Sequence, residues 1–163
     1  MANPEDKTFQ CNLIDPTGKL LDCRVTSVVL PAHDGQLGIL HDHMPMLCQL
    51  GLGIMKVTPA AGAAAQPPSA GSTPGGGGAT LGAGQNDVFF FIDGGCALVA
   101  QNSVSVIAYD ALALQDASAE RIQPLIDKTT KNIADPALSS TQRAHESQRL
   151  RALQRITESH EGT

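Results

Sequence analysis

Thr8-Phe9-Gln10-Cys11-Asn12-Leu13, followed by the turn signal Asp15-Pro16-Thr17-Gly18, decides the fold class. Phe9, Cys11 and Leu13 share one face of an extended chain, and Thr8, Gln10 and Asn12 share the other. Strict alternation of this kind marks a half-buried strand. Pro16 presets one φ of the turn, and Gly18 is free to take a positive one. Lys19–Arg24 then returns as a second strand and Val25–Leu30 as a third, which Pro31 ends. His33-Asp34-Gly35-Gln36 is a further turn. Leu37–Leu40, Met46–Leu50, Ile54–Thr58, Phe89–Ile92, Ala97–Val99 and Val104–Tyr109 continue the pattern, with Gly94-Gly95 and Gln101-Asn102 as hairpin turns. About ten short strands at this spacing predict an all-β sandwich or flattened barrel. No β-α-β alternation supports a parallel nucleotide-binding sheet.

Beyond the strands the composition changes twice. Residues 59–87 hold 8 Ala, 8 Gly and 4 Pro among 29, with Leu81 the only large apolar side chain. Such a stretch has too little to bury to offset the ordering of its backbone, which predicts disorder. It interrupts what would otherwise be a hairpin, at a closure cost of only about 1.7 kcal/mol. Gly75–Gly78 lacks a following Gly-Lys-Ser/Thr and is no phosphate loop. The domains expected are a sandwich over 1–115, with this insertion, and an antiparallel two-helix hairpin over 116–163. The first helix spans about Ala119–Ile133, with Ile122, Leu125, Ile126 and Ile133 near one face, Thr129 interrupting it, and Ser118 as a cap. Pro124 would cost it about 3 kcal/mol in the interior, so a kink or a start delayed to Pro124 is expected. The second spans about Thr141–His160, capped by Ser140 or Thr141, with a thin stripe of Ala144, Leu150, Leu153 and Ile156. A stripe that thin leaves the hairpin weakly secured.

Charge and composition narrow the function. The 163 residues carry a net charge of −5, and aromatic residues make up only 3% with no Trp. An acidic chain with few rings is a poor nucleic-acid binder, and its core is expected to be aliphatic. No apolar run approaches the roughly 18 residues of a membrane span. The start, Met1–Lys7, carries neither a secretory nor a transit pattern, so the chain is expected on the side of the membrane where it is made. Cys11, Cys23, Cys48 and Cys96 show no CxxC spacing and read as reduced thiols packed as small apolar residues. His33, Asp34, His41, Asp42 and His43 fall within eleven residues. On a strand, His41 and His43 would face the same way, as in half of a cupin motif, but no Glu follows and Pro45 interrupts the strand. A cupin-like metal enzyme using His41 and His43 is therefore the alternative reading. No Gly-x-Ser-x-Gly or other nucleophile context is present. In the tail, Arg143, Arg149, Arg151 and Arg155 stand against one acid, Glu146, between 141 and 155, and Arg149 and Arg151 diverge on a helix. Residues and spacing together favour an interaction protein over an enzyme.

Four stretches carry a resemblance: Asp15–Leu21; Val25–Ile39 with Asp34-Gly35-Gln36-Leu37-Gly38-Ile39; His43-Met44-Pro45-Met46-Leu47 with Gly53–Val57; and Phe91–Val99 with Val104–Ala111. In order and content they resemble the epsilon subunit of bacterial F-type (proton-translocating) ATP synthases. The resemblance implies a non-catalytic rotor subunit at the cytoplasmic face of the bacterial inner membrane, peripheral to it, with no cofactor of its own. It implies partners in the gamma subunit, the c-subunit ring and the catalytic beta subunits, and coupling of proton-driven ring rotation to ATP synthesis. Asp34, Gly35 and Gln36 match the loop that faces the c ring, where Gln36 replaces a frequent Glu. His43 and Pro45 match the His-x-Pro of the gamma contact, where Asp42 replaces a common Gly. Arg143, Arg149, Arg151 and Arg155 match the basic second helix that meets the beta subunits and inhibits hydrolysis. Some members bind ATP through Ile/Leu-Asp-x-x-Arg-Ala. The matching stretch here, Ala117–Ile122, keeps Arg121 but has Ser118 for Asp, which leaves an ATP-sensing module as a further alternative.

Overall fold

The computed structural model describes residues 7–61, 63, 87–114 and 119–161. They fall into two compact units, Met1–Ala113 and Leu114–Thr163. The first contains seven strands: β1 (Phe9–Asp15), β2 (Gly18–Ala32), β3 (Gly35–Leu40), β4 (Met46–Pro59), β5 (Val88–Ala100), β6 (Ser103–Ala108) and β7 (Ala111–Ala113). They pair in the order β1-β6-β5-β4-β2-β3, and β1 also pairs with β2, so five strands close a ring. β3 adds to β2, and β7 adds to β5. β1 and β6 run parallel, while the other pairs are antiparallel. Closure removes the open edges that a sheet otherwise presents.

Seven strands stand where about ten were expected: three long strands each span two of the expected segments, and the short β7 is one the alternation does not predict. β2 joins Lys19–Arg24 to Val25–Leu30, β4 joins Met46–Leu50 to Ile54–Thr58, and β5 joins Phe89–Ile92 to Ala97–Val99. β2 and β5 change partner part-way along, whereas β4 keeps β5 beside it from Met46 to Val57. The first half of β2 pairs with β1, and its second half pairs with β3 and β4. β5 pairs with β7 over Phe90–Ile92 and with β6 over Gly95–Ala100. Gly94-Gly95 is thus no hairpin turn but the corner of one strand. Gly95 has φ +123°, and a Cβ there would lie 2.1 Å from the Ile107 carbonyl oxygen. Only glycine lets β5 pass that close to β6. Pro31 likewise does not end its strand. It sits where the β2–β4 register shifts, and a Cβ on Gly53 would come within 2.7 Å of its ring.

Alternation in β1 holds: Phe9, Cys11 and Leu13 are buried, and Gln10 and Asn12 are half-buried. The core adds Val25, Val28, Leu30, Met55, Val57, Ile92, Val104 and Val106. Phe9 and Phe90 join it, so it is not purely aliphatic. Cys11 faces Cys23 across β1–β2, and both are free thiols. Burial pushes the Cys11 thiol far above its usual range and that of Cys23 up to about 11. Both stay protonated and pack as apolar groups. In the first turn Asp15 Oδ1 accepts from Thr17 N (2.8 Å), Thr17 Oγ1 (2.6 Å) and Gly18 N (2.9 Å). That arrangement satisfies a buried carboxylate and fixes the turn.

The insertion leaves from the β4–β5 hairpin, where Val57 pairs with Val88. Its mouth is clasped by Thr58 Oγ1 donating to Asp87 Oδ1 (2.7 Å) and by Lys56 Nζ at 2.8 Å from Asp87 Oδ2. Residues 62 and 64–86, and with them the expected disorder, lie outside the described residues.

The second unit holds α1 (Ala119–Ile133) and α2 (Ser140–Glu161), packed on each other. α1 starts at Ala119 and runs through Pro124, so the delayed start is not seen. Pro124 lies on the exposed side and gives the Glu120 carbonyl no N–H. Ile122 and Thr129 are buried and Leu125, Ile126 and Ile133 half-buried, so Thr129 belongs to the packed face rather than interrupting it. In α2, Leu153 and Ile156 are buried and Leu150 half-buried, but Ala144 is exposed. Ser139 caps α2, not Ser140 or Thr141. Its Oγ accepts from Gln142 N (3.3 Å), and Gln142 Oε1 accepts from Ser139 N (3.1 Å), a reciprocal capping box.

Candidate functional site

The outer face of β4, β5, β6 and β1 presents two adjoining rows. Cross-strand register places Leu47, Leu98, Ser105 and Asn12 in one row, and Gln49, Cys96, Ile107 and Ile14 in the next. None of the eight is charged, although the chain carries −5 overall. Leu47 is 71% exposed, Leu98 51%, Ile107 53% and Ile14 37%. A grouped set of exposed aliphatic side chains on one face of a sheet makes that face a candidate binding surface. Tyr109 and Met44, 76% and 71% exposed, extend the list of large side chains left to solvent.

Two turns carry the residues singled out from sequence. Asp34 lies in the β2–β3 turn, and Gly35 and Gln36 open β3; all three are exposed. His33 N donates to Gln49 O (3.0 Å), which fastens this turn to β4. Beside it lies an open cleft of about 550 Å³, reaching from Asp34 and Gln36 to Met46 and Cys48. His43 and Pro45 lie in the β3–β4 loop, which leads directly into Leu47. His43 is half-buried, with its N donating to Leu40 O (3.2 Å) and Nδ1 at 3.0 Å from Met44 O. Pro45 is exposed.

The metal reading loses its geometry. β3 ends at Leu40, so His41 and His43 sit in a turn rather than on a strand. Asp42 between them has φ +59°. His41 Nδ1 is 3.0 Å from Asp42 Oδ2 and Nε2 is 3.3 Å from Asn102 Nδ2, so both ring nitrogens have protein partners. Among the described residues, no three His, Cys, Asp or Glu side chains are grouped to hold an ion.

On α2, Arg143, Arg151 and Arg155 are exposed and Arg149 is half-buried, so Arg149 and Arg151 do diverge. Arg143 Nη2 reaches the Asp135 and Leu138 carbonyls at 3.4 Å each. Asn132 Nδ2 donates to Glu146 Oε1 (3.3 Å) across the two helices. The side chain of Arg121, and Ser118, lie outside the described residues. No helix among the described residues is long and apolar enough to cross a membrane.

Residues 8–66 match the family model of the ATP synthase Delta/Epsilon chain, beta-sandwich domain. The ATP synthase epsilon chain of Latilactobacillus sakei subsp. sakei (strain 23K) is 27% identical over 154 residues, spanning 94% of this chain and 88% of that protein. The chain belongs to the ATP synthase delta/epsilon family. The epsilon chain of Jannaschia sp. (strain CCS1) is 28% identical over 119 residues, 73% of this chain and 72% of its own. Among solved structures, a chain of the Euglena gracilis mitochondrial ATP synthase shares the fold with a TM-score of 0.57 at 17% identity, covering 93% of this chain and 81% of its own.

The two turns carry short sequence motifs, and the outer face carries a fainter signal. The signal was present: Leu98 and Ile107 occupy strand positions that alternation assigns to solvent, yet both are large and apolar.

Proposed function

We propose that this chain is a non-catalytic central-stalk subunit of an F-type ATP synthase, coupling ring rotation to ATP synthesis in the catalytic head. One observation carries the reading: an epsilon chain aligns over 94% of this chain, through the sandwich and both helices. A closed strand ring with a packed core suits a part that transmits torque, because it resists shear. In this reading the uncharged Leu47–Leu98–Ile107–Ile14 face and the loop of His43 and Pro45 hold the gamma subunit. The exposed Asp34-Gly35-Gln36 turn meets the c ring. The basic α2, with Arg143, Arg149, Arg151 and Arg155, engages an acidic segment of the beta subunits and restrains ATP hydrolysis. The site of action is the cytoplasmic face of the bacterial inner membrane, reached through protein partners. Such a hairpin has to hold two dockings within a few kcal/mol of each other.

The test is reconstitution with the catalytic head and gamma. The full chain should copurify with the head complex and lower its ATPase rate, and removal of residues from about 116 onward should release that inhibition while retention in the complex persists. Equal rates with full-length and shortened chains would refute the inhibitory half. Absence of any complex would refute the stalk assignment.

A further inference from the structure

Asn102 lies in the two-residue β5–β6 turn, where Gln101 has φ +50° and Asn102 φ +53°. Such a turn needs a left-handed backbone at both positions, and glycine or asparagine supplies it at the second. The turn therefore does not require the asparagine side chain, which is engaged elsewhere. Asn102 Oδ1 accepts from Asp42 N (2.8 Å), and Nδ2 donates to Asp42 Oδ1 (3.0 Å). Nδ2 also lies 3.3 Å from His41 Nε2, while His41 Nδ1 is 3.0 Å from Asp42 Oδ2. With its proton on Nδ1, His41 donates to Asp42 and accepts from Asn102, which closes the network. The Asn102 carbonyl accepts from Gln10 N (3.0 Å) and ties the same residue to β1.

These bonds converge on a strained position. Asp42 has φ +59°, a left-handed conformation that side chains with a Cβ rarely adopt. It stands in the loop that carries His43, Met44 and Pro45 and enters β4 just before Leu47. We propose that Asn102 is a positioning residue for partner binding: it latches Asp42 in its left-handed conformation and thereby sets the loop beside the outer face. The proposal deepens the stalk reading and rests on it for the partner, while the latch itself is a property of this chain alone. It also predicts that glycine at position 42, which adopts this conformation without strain, makes the latch dispensable.

The test uses the full chain with Asn102→Gly, Asp42→Gly and the double substitution. Glycine at 102 keeps the turn and removes only the side-chain bonds. Two readouts are taken: amide hydrogen exchange at Asp42 in the isolated chain, and affinity for the purified gamma subunit. Asn102→Gly is expected to deprotect the Asp42 amide and weaken gamma binding about tenfold, the size of one charge-assisted hydrogen bond. Asp42→Gly alone should bind near the wild-type level, and the double variant should recover to within about twofold. Unchanged Asp42 protection in Asn102→Gly, or weakened binding that Asp42→Gly does not rescue, overturns the proposal. If the unaltered chain fails to bind gamma, the stalk reading falls by itself. The exchange result then decides the latch: lost protection supports it, and retained protection overturns it.

Discussion

The sandwich and the helical hairpin are built on opposite terms. In the sandwich, five strands close on themselves around a cluster that includes Phe9, Leu13, Leu30, Met55, Val57, Phe90 and Val104, all almost wholly buried. At Gly95 a β-strand passes so close to its neighbour that no side chain fits. In the described part of the hairpin, the buried side chains are Ile122, Thr129, Leu153 and Ile156, and one of them is polar. The first helix carries a proline in its interior. The second is held at its start by the Ser139–Gln142 exchange and at its crossing by Asn132 with Glu146. Side-chain hydrogen bonds of this kind contribute about 1 kcal/mol each, whereas a buried core side chain contributes roughly 2–5. The described hairpin therefore buries much less than the sandwich does, and the proposed inhibitory role would use that difference.

The contrast can be broken at several points. Gly95→Ala should have the largest effect. The added methyl meets the Ile107 carbonyl at 2.1 Å with φ at +123°, and a loss of about 4 kcal/mol in denaturant unfolding is expected. A loss under about 1 kcal/mol would mean that the β5 corner is adaptable. Met55→Ala, in the centre of the core, should cost about 3 kcal/mol by the same measurement. Ser139→Ala removes the cap of α2 and should cost about 1 kcal/mol, seen as faster amide exchange in the first turn of α2. Equal exchange there would show that the cap does not limit the hairpin.

The smallest effect concerns the clasp at the base of the insertion. Lys56 and then Thr58 hold the Asp87 carboxyl below its usual range. A carboxylate with a lowered pKa stabilises the fold at pH values above its unfolded pKa, and that stabilisation fades as pH falls through the folded one. Protection of the Val57 and Val88 amides should therefore decline slightly once pH falls below the ordinary carboxylate range, and Asp87→Asn should abolish that pH dependence. A decline that persists in Asp87→Asn would assign it to another group.

Where the sequence was legible, one physical signal acted alone. Phe9-Gln10-Cys11-Asn12-Leu13 alternates because one face is core, and the structure keeps it. α1 was readable from Ile122 to Ile133 because its spacing is helical. Strand number differs from the expectation because a local signal meets a tertiary use: Gly94-Gly95 has the composition of a turn, yet β4 pairs with β5 on both sides of it, and β7 and β6 pair before and after it on the other edge. Pro31 was misread for the same reason, since a bulge opposite Gly53 accommodates it. Ring closure by parallel β1–β6 pairing joins residues about ninety positions apart, and no periodicity encodes that. Of the site, the Asp34–Gln36 turn and the His43–Pro45 loop were visible as short motifs. The outer face was legible only in part: Leu98 and Ile107 stand out as large apolar residues at solvent positions, but their grouping with Leu47 and Ile14 depends on register across four strands.

The central claim is that the outer face of the sandwich grips the stalk. It is tested most directly by the dissociation constant of the full chain for the gamma subunit, measured beside that of a Leu47→Asp, Leu98→Asp variant. A stable complex for the unaltered chain and a loss of at least about a hundredfold in the variant is the expected result, as for charges placed in a buried apolar contact. Equal affinities, with the variant still folded, would contradict it.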